Sequence, residues 1–253
     1  MPSPRTRLDV LLVARGLAES RTRAEALILS GRVRVRGVER PKPGTSVPPG
    51  AEVTVESPEH PWVSRGGVKL AAGLDAFGID PSGRTCLDVG ASTGGFTDVL
   101  LSRGARRVYA VDVGHGQLHA RLRSDPRVVL REGVNARLLS GGDVPEACSL
   151  LVADVAFISL RLILPAAVPL LSPGADALLL VKPQFESERG EVGRGGIVRD
   201  PEVRRRAAER VVAAAGTLGL LHLGTVESPI TGADGNVELL AAFRLGEPPS
   251  GCG

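Results

Sequence analysis

From Gly67 onward the chain alternates short apolar runs with helical stretches, and this alternation restricts the fold more than any other feature of the sequence. The runs Thr85 to Val89, Arg107 to Asp112, Val128 to Arg131, Leu150 to Asp154 and Ala177 to Val181 have the length of strands. Near-continuous apolar runs of that length are buried on both faces, as in a parallel sheet covered by helices. Two last runs, Leu220 to Val226 and Val237 to Phe243, lie close together with a Gly/Asn turn region between them, which predicts an antiparallel terminal pair. The expected fold is α/β: a Rossmann-like, mostly parallel sheet with an antiparallel terminal strand. Such sheets bind ligands in the crevice at the carboxyl ends of their strands. The residues that close each run are therefore the first candidates for chemistry.

The N-terminal segment follows a different plan. Arg7 to Gly16 and Ser20 to Gly31 read as two short apolar-striped helices, each stopped by glycine, and Thr22 with Glu25 fits a capping box for the second. Arg32-Val-Arg-Val-Arg36 alternates strictly, valines on one face and arginines on the other, and Glu52 to Glu56 reads as a further short strand after a turn-rich stretch. Charge separates the two parts as well. Residues 1–42 hold ten basic and four acidic side chains while residues 62–253 hold 21 of each, a skew that the net charge of +3 conceals. A basic face of this kind either neutralises phosphates or is simply solvated. This small α+β unit resembles the RNA-binding domain named after ribosomal small-subunit protein four. The resemblance implies that the second helix and the following strand face RNA, which carries over to Arg21, Arg23, Arg32, Arg34 and Arg36. The segment has no aromatic side chain to stack on bases, so shape and phosphate contacts are expected to dominate.

A length of 253 residues holds one α/β domain of ~100–200 residues plus a small one. The sequence divides into an RNA-binding domain with the start of a linker over 1–60, a linker over 61–66, the α/β domain over 67–246 and a disordered tail over 247–253. Ser57 to Pro61 is stiff and proline-bounded, and Trp62 reads as a hydrophobic plug at a domain edge or as an interdomain latch. No apolar run reaches 18 residues and the N-terminus lacks the sections of a signal peptide, so a soluble, cytoplasmic protein without membrane contact is expected. Cys86, Cys148 and Cys252 form no CxxC pair and read as reduced thiols without a role. His115 and His119 stand four apart with no third ligand evident, so no metal site is expected. Nothing in the pattern indicates an oligomeric state.

The stretch Leu87 to Thr97, Leu-Asp-Val-Gly-Ala-Ser-Thr-Gly-Gly-Phe-Thr, places its glycines where the first strand turns into a helix and a ligand can approach backbone N–H groups. It departs from the dinucleotide G-x-G-x-x-G and looks like the first motif of S-adenosylmethionine enzymes. Asp112 ends the second strand 22 residues beyond Gly90, where a carboxylate accepts hydrogen bonds from ribose hydroxyls. Arg131 to Asn135 follows the third strand and is either an adenine contact or an ordinary loop. The candidate cofactor residues are Asp88, Gly90, Ala91, Ser92, Thr93, Gly94, Gly95, Asp112, Val113, Gly133, Val134, Asn135 and Asp154.

Among 31 basic residues only Lys42, Lys69 and Lys182 are lysines. A lysine kept amid arginines marks a place for a compact ammonium that can lose its proton. Asp154 and Lys182 close apolar strands, Glu238 sits in Gly-Asn-Val-Glu-Leu, and Lys69 precedes the first strand on a helix that can cover the same crevice. Pro183 stops the strand at Lys182. Singly, each is a strand-end charge or a surface ion pair. Together, Lys69, Asp154, Lys182 and Glu238 match the K-D-K-E tetrad of FtsJ-like RNA ribose 2′-O-methyltransferases, and with the N-terminal module nearly the whole chain resembles the TlyA family. Members of that family methylate cytidine 2′-hydroxyls in ribosomal RNA and were once labelled hemolysins. The resemblance implies S-adenosylmethionine as cofactor and ribosomal RNA or ribosomal subunits as partners.

A ribose 2′-hydroxyl is a poor nucleophile, so methyl transfer requires proton removal and alignment of the reacting atoms. Lys182 is the candidate proton acceptor. That role needs the neutral amine, which desolvation and the charges of Lys69 and the sulfonium favour, whereas Asp154 and Glu238 orient the amines and oppose it. Orientation alone is the alternative role. Two other functions compete: an RNA-binding or hemolysin-like factor with a non-catalytic methyltransferase fold, and a base methyltransferase. The latter commonly carries Asn/Asp-Pro-Pro-aromatic after the fourth strand, where this chain has Asp154-Val-Ala-Phe157. The loop Glu186 to Gly196 is rich in glycine and charge, and is either a mobile substrate loop in which Arg189 and Arg194 hold RNA or a passive surface loop.

Overall fold

The computed structural model describes residues 5–18, 20–29, 32–55, 60–188, 190–232 and 234–246, without the side chains of Arg23, Ala26 and Arg194. The chain forms two compact units, Met1–Pro61 and Trp62–Gly253.

The N-terminal unit comprises β1 (Thr6–Arg7), α1 (Leu8–Ala14), α2 (Arg21–Leu29), β2 (Val33–Val35), β3 (Ser46–Val47) and β4 (Val53–Val55). β1 pairs with β3 and β2 with β4, both antiparallel. Leu8, Leu11 and Leu12 of α1 pack with Ala24, Leu27 and Ile28 of α2 and with Val33, Val35 and Val47. The alternation in β2 holds: its valines are buried and Arg34 is exposed. The capping box does not form. Ser20 already accepts the Ala24 N–H at 2.9 Å, so α2 starts two residues earlier, Thr22 falls inside the first turn, and Glu25 turns to Arg21 at 3.5 Å. Among the described residues of this unit, the fully buried carboxylate is Asp9. It accepts two bonds from Arg7, one from Arg21 at 2.9 Å and one from the Val10 N–H. The Arg7 bonds, aided by Arg21 and Val10, hold its carboxyl well below the usual carboxylate range against the opposing effect of burial.

The C-terminal unit runs α3 (Gly66–Phe77), β5 (Thr85–Val89), α4 (Gly95–Ser102), β6 (Arg107–Asp112), α5 (Ala120–Arg123), β7 (Val128–Glu132), β8 (Cys148–Ala153), α6 (Leu160–Ala167), β9 (Leu171–Val181), α7 (Pro183–Glu186), α8 (Pro201–Gly216), β10 (Leu220–Glu227) and β11 (Leu239–Leu245). These strands form one sheet in the order β10-β11-β9-β8-β5-β6-β7. Strands β5 to β9 are parallel, and β11 is inserted antiparallel between β9 and β10. Alternate residues of the central strands face opposite ways. Leu87, Val89, Leu151 and Leu179 pack with α6 and α8, whereas Cys86, Leu150, Val152 and Leu178 pack with α3 and α4, and Trp62 lies against that second cluster. The strand β9 begins six residues before the apolar run Ala177 to Val181, because Leu171 already pairs with Cys148 of β8 and packs in the core, and the register shifts before the next rung at Asp176. β11 starts two residues later than its run because Leu239 is the first residue in register with β9.

Chain order reverses beside β5: β6 and β7 lie on one side, and the chain then crosses to place β8 on the other. The crevice at the carboxyl ends of β5 and β8 is the topological switch point at which such sheets take their ligands. Cys86 and Cys148 are free and buried, and burial pushes both thiols up to about 12, so neither ionises near neutral pH. Cys252 lies outside the described residues. Among the described residues no helix is long and apolar enough to cross a membrane.

Replacing Asp9 with Asn should weaken the N-terminal unit by about 1–2 kcal/mol, a modest cost because both guanidiniums stay half in water. Amide exchange in α1 and α2 should accelerate while exchange in the large sheet stays as it was. Unchanged protection in the two helices would show that the Arg7–Asp9–Arg21 cluster does not hold them.

Candidate active site

The turn after β5 lies against the loop after β8. Gly90 has φ +86°, and a Cβ there would collide with the carbonyl oxygen of Asp154. Glycine alone permits both the turn and the approach. The Asp154 N–H in turn donates to the Val89 carbonyl at 3.0 Å. Further along the loop, Gly95 begins α4 with no room for a side chain against Ser64. The result is a cleft of about 210 Å³ lined by Ser64, Gly66, Lys69, Gly90, Ala91, Ser92, Thr93, Gly95, Phe96, Asp154, Ala156 and Lys182.

The four tetrad positions form two ion pairs. Lys69, buried on α3, meets Glu238 at 2.5 Å, and Lys182, just past β9, lies 2.6 Å from Asp154 Oδ1. Lys69, Lys182 and Asp154 line the cleft, whereas Glu238 is buried behind Lys69. Charges this far out of water are tolerated because each has its opposite beside it. Asn236 holds the approach to Glu238: its side chain accepts the Val198 N–H at 2.9 Å and donates to the Gly196 carbonyl at 2.9 Å. Sequence reading treated Gly235-Asn236 as turn chemistry only, because a buried amide's two partners lie some forty residues away.

The remaining candidates are spread around the cleft. Asp88 lies beneath the glycine loop, fully buried, accepting from Thr97 Oγ1 at 2.6 Å, and its other oxygen has no partner among the described residues. Burial pushes its carboxyl up to about 7, with the Asp154 and Asp112 charges adding and the Thr97 bond opposing. It anchors the start of α4 and does not line the cleft. Gly94 faces Leu118 and Leu122 instead. Asp112 is half-exposed and fastens two loops, accepting from Ser92 N–H at 2.8 Å and Gly114 N–H at 2.7 Å, while Val113 beside it is exposed. The loop Gly133 to Asn135 follows β7, adjacent to the end of β6; the Val134 N–H reaches the Asp112 carbonyl at 3.1 Å and the Asn135 side chain caps the next turn at Arg137. His119 caps α5, accepting the Arg121 N–H at 3.2 Å, and the His115 ring faces Gly133. Among the described residues no group of three His, Cys, Asp or Glu is placed to hold a metal.

Of the arginines read as RNA contacts, Arg21 is exposed while bonded to Asp9, Arg34 is exposed, Arg32 is half-buried and Arg36 pairs with Glu52 at 2.9 Å. Arg189 and the side chains of Arg23 and Arg194 lie outside the described residues; the Arg194 backbone forms a short turn through Gly196. Phe157 was noted only as a departure from a base-methylating element. It has φ +63°, is 91 % exposed and stands with its ring 5.4 Å from that of Phe185. An exposed aromatic in a left-handed conformation three residues past Asp154 persists only where the surrounding structure imposes it. No sequence pattern announces it.

The glycine turn at the switch point and the reversed strand β11 define the class: an S-adenosylmethionine-dependent methyltransferase fold. Residues 62–245 match the FtsJ-like methyltransferase family and residues 6–53 the S4 domain. The chain belongs to the TlyA family of FtsJ-like methyltransferases. It is 51 % identical over 241 residues, 95 % of this chain and 90 % of the relative, to the 16S/23S rRNA (cytidine-2′-O)-methyltransferase TlyA of Mycobacterium tuberculosis. It is 41 % identical to Hemolysin A of Brachyspira hyodysenteriae, covering 94 % of this chain and all of that one. A solved hemolysin-like protein from Streptococcus thermophilus superposes with a TM-score of 0.75 at 41 % identity, covering 97 % of this chain and 90 % of that one.

The carboxyl of Asp88 goes from an ordinary 3.8 to about 7 on folding, so the folded state holds the proton more tightly and loses stability as pH rises through that window. Asp88→Asn keeps an acceptor for Thr97 and never ionises. Its urea midpoint relative to the parent protein should therefore rise between about pH 4 and about pH 7 and level off above that. A constant difference across that range would show that the Asp88 proton is indifferent to folding.

Proposed function

We propose that the protein transfers a methyl group from S-adenosylmethionine to the 2′-hydroxyl of a cytidine in ribosomal RNA, in the cytoplasm. The observation that carries this reading is the convergence of Lys69 and Lys182, each with a carboxylate partner, on one cleft floored by the Gly90 turn. The names of the curated relatives support the substrate. RNA gripping is assigned to residues 1–60 and the chemistry to residues 67–246.

The residues fit the cofactor: the floor is glycine backbone where a Cβ has no room, and a half-exposed carboxylate, Asp112, ends the neighbouring strand. The loop Gly90 to Gly95, Asp112 with Val113, and Gly133 to Asn135 would hold it. S-adenosylmethionine supplies a methyl group on a sulfonium, activated for attack by oxygen. Lys182 in its neutral amine form would accept the hydroxyl proton at Nζ as the oxygen–carbon bond forms and the carbon–sulfur bond breaks, and Asp154 would fix the direction of that amine and balance the charge it gains. Lys69, braced by Glu238, donates to the ribose oxygens and orients the attacking one. Burial of both pairs excludes the water that would otherwise compete for these amines.

Lys182→Arg keeps the charge and much of the reach but cannot deprotonate near neutral pH. Single-turnover methyl transfer should fall by about 10²-fold or more, with cofactor affinity near that of the parent enzyme. Near-normal rates in a folded, cofactor-binding variant would leave Lys182 with an orienting role only. Mass spectrometry of the digested RNA should show a 2′-O-methylated cytidine; a methylated base would refute the reaction assigned. Replacing Arg32, Arg34 and Arg36 together with Gln should weaken RNA binding and flatten its salt dependence by about one counterion per lost phosphate contact. If affinity and salt slope both hold, the N-terminal unit is not the RNA grip.

A further inference from the structure

We infer that Glu186 is a positioning residue for methyl transfer: its buried carboxylate ties the segment bearing Asp154 to the segment bearing Lys182 and thereby sets the ion pair between them. This rests on the function proposed above. The strands β8 and β9 stay in register only up to Ala153 opposite Leu179. Asp154 and Lys182 both lie beyond that last rung, so the ladder does not fix their separation. Other links between the two segments must.

Glu186 supplies them. It ends α7, four residues after Lys182, and is 2 % exposed. One carboxylate oxygen accepts the Leu160 N–H at 2.6 Å; the other accepts from Ser159 Oγ at 2.6 Å and Arg161 Nε at 3.2 Å. All three donors sit at the start of α6, five to seven residues past Asp154. Helix α6 does not need Glu186 as its cap, because Ser159 Oγ already accepts the Arg161 N–H at 3.2 Å. The bonds from Glu186 instead join two loops. Burying a carboxylate is costly, and here burial raises the pKa of Glu186 while its three donors oppose the rise. The Phe157–Phe185 ring contact lies between the same two segments. On its far side α7 is held by Arg210 of α8, which donates to the Glu186 carbonyl at 3.4 Å and pairs with Glu191 at 2.9 Å. Without Glu186, α7 keeps its attachment to α8 and loses its tie to the Asp154 segment. Misplacement of a reacting group by ~1 Å costs about 10²-fold in rate.

The test compares Glu186→Gln and Glu186→Ala with the parent enzyme in single-turnover methyl transfer at saturating cofactor and RNA. Gln, which keeps one acceptor, should lower the rate about 10-fold and Ala about 10²-fold, with cofactor affinity changed by no more than about twofold. In a Lys182→Ala background Glu186→Gln should have no further effect, since residues acting through one pair are non-additive. A crystal structure of Glu186→Gln should show Lys182 and Asp154 moved apart. Rates equal to the parent's, or the same 10-fold loss in the Lys182→Ala background, would overturn the inference, as would an unchanged pair in the crystal. If the Ala variant fails to fold, Ser159→Ala removes one donor alone and should slow transfer without weakening cofactor binding; a normal rate there also counts against Glu186. A parent protein that methylates no RNA refutes the proposed function instead, and the separation seen in the Glu186→Gln crystal still decides the inference.

Discussion

The approach of the Gly90 turn to the backbone of Asp154 is the constraint on which the site depends. Two loops that leave neighbouring strands in the same direction would normally diverge around their side chains. Here Gly90 has none at the point of contact, so the carbonyl oxygen of Asp154 occupies the space of a Cβ. That approach puts Asp154 at the edge of the glycine loop, and β9, the next parallel strand, brings Lys182 to the same end of the sheet, just beyond the last rung between the two strands. Lys69 reaches the same place from the other side, because α3 packs Leu70 and Leu74 onto the sheet and leaves the Lys69 face toward the cleft.

Charge is arranged in matched pairs wherever it is buried. Lys69 has Glu238 and Lys182 has Asp154 in the cleft; Asp9 has Arg7 and Arg21 in the N-terminal unit. The purposes differ. At Asp9 the pairing closes a small core that has few apolar residues, and Arg21 contributes to it while remaining exposed. In the cleft the pairing keeps two ammonium groups together at the site proposed for a cationic cofactor. Asp88 is the exception, a carboxyl without a cation, and its response is to hold a proton near neutral pH.

Much of the sheet was legible because burial on both faces forces unbroken apolar runs. Thr85–Val89 and Arg107–Asp112 begin and end where their apolar runs do, since a charged or glycine residue stops each. The start of β9 was missed because Ser172, Pro173 and Gly174 break the apolar pattern between Leu171 and Ala175, where the register with β8 shifts. The capping box failed for a different reason: Thr22 with Glu25 satisfies the pattern and Ser20, followed three residues later by Arg23, does not, yet the backbone hydrogen bond from Ala24 to Ser20 starts the helix ahead of Thr22.

By itself the sequence determined the strand runs, the glycine turn, the retention of two lysines at strand-end and helix positions, and so the class of chemistry, because these depend on residue type and local spacing. The tertiary structure decided who meets whom. That Lys69 takes Glu238 and Lys182 takes Asp154, that Asp88 sits under the loop rather than in it, and that Glu186 and Asn236 tie distant loops together are all contacts between residues far apart in the chain. Local pattern carries no information about such pairs, since a buried carboxylate or amide is specified by the partners that make its burial tolerable, and those partners are assembled only by folding.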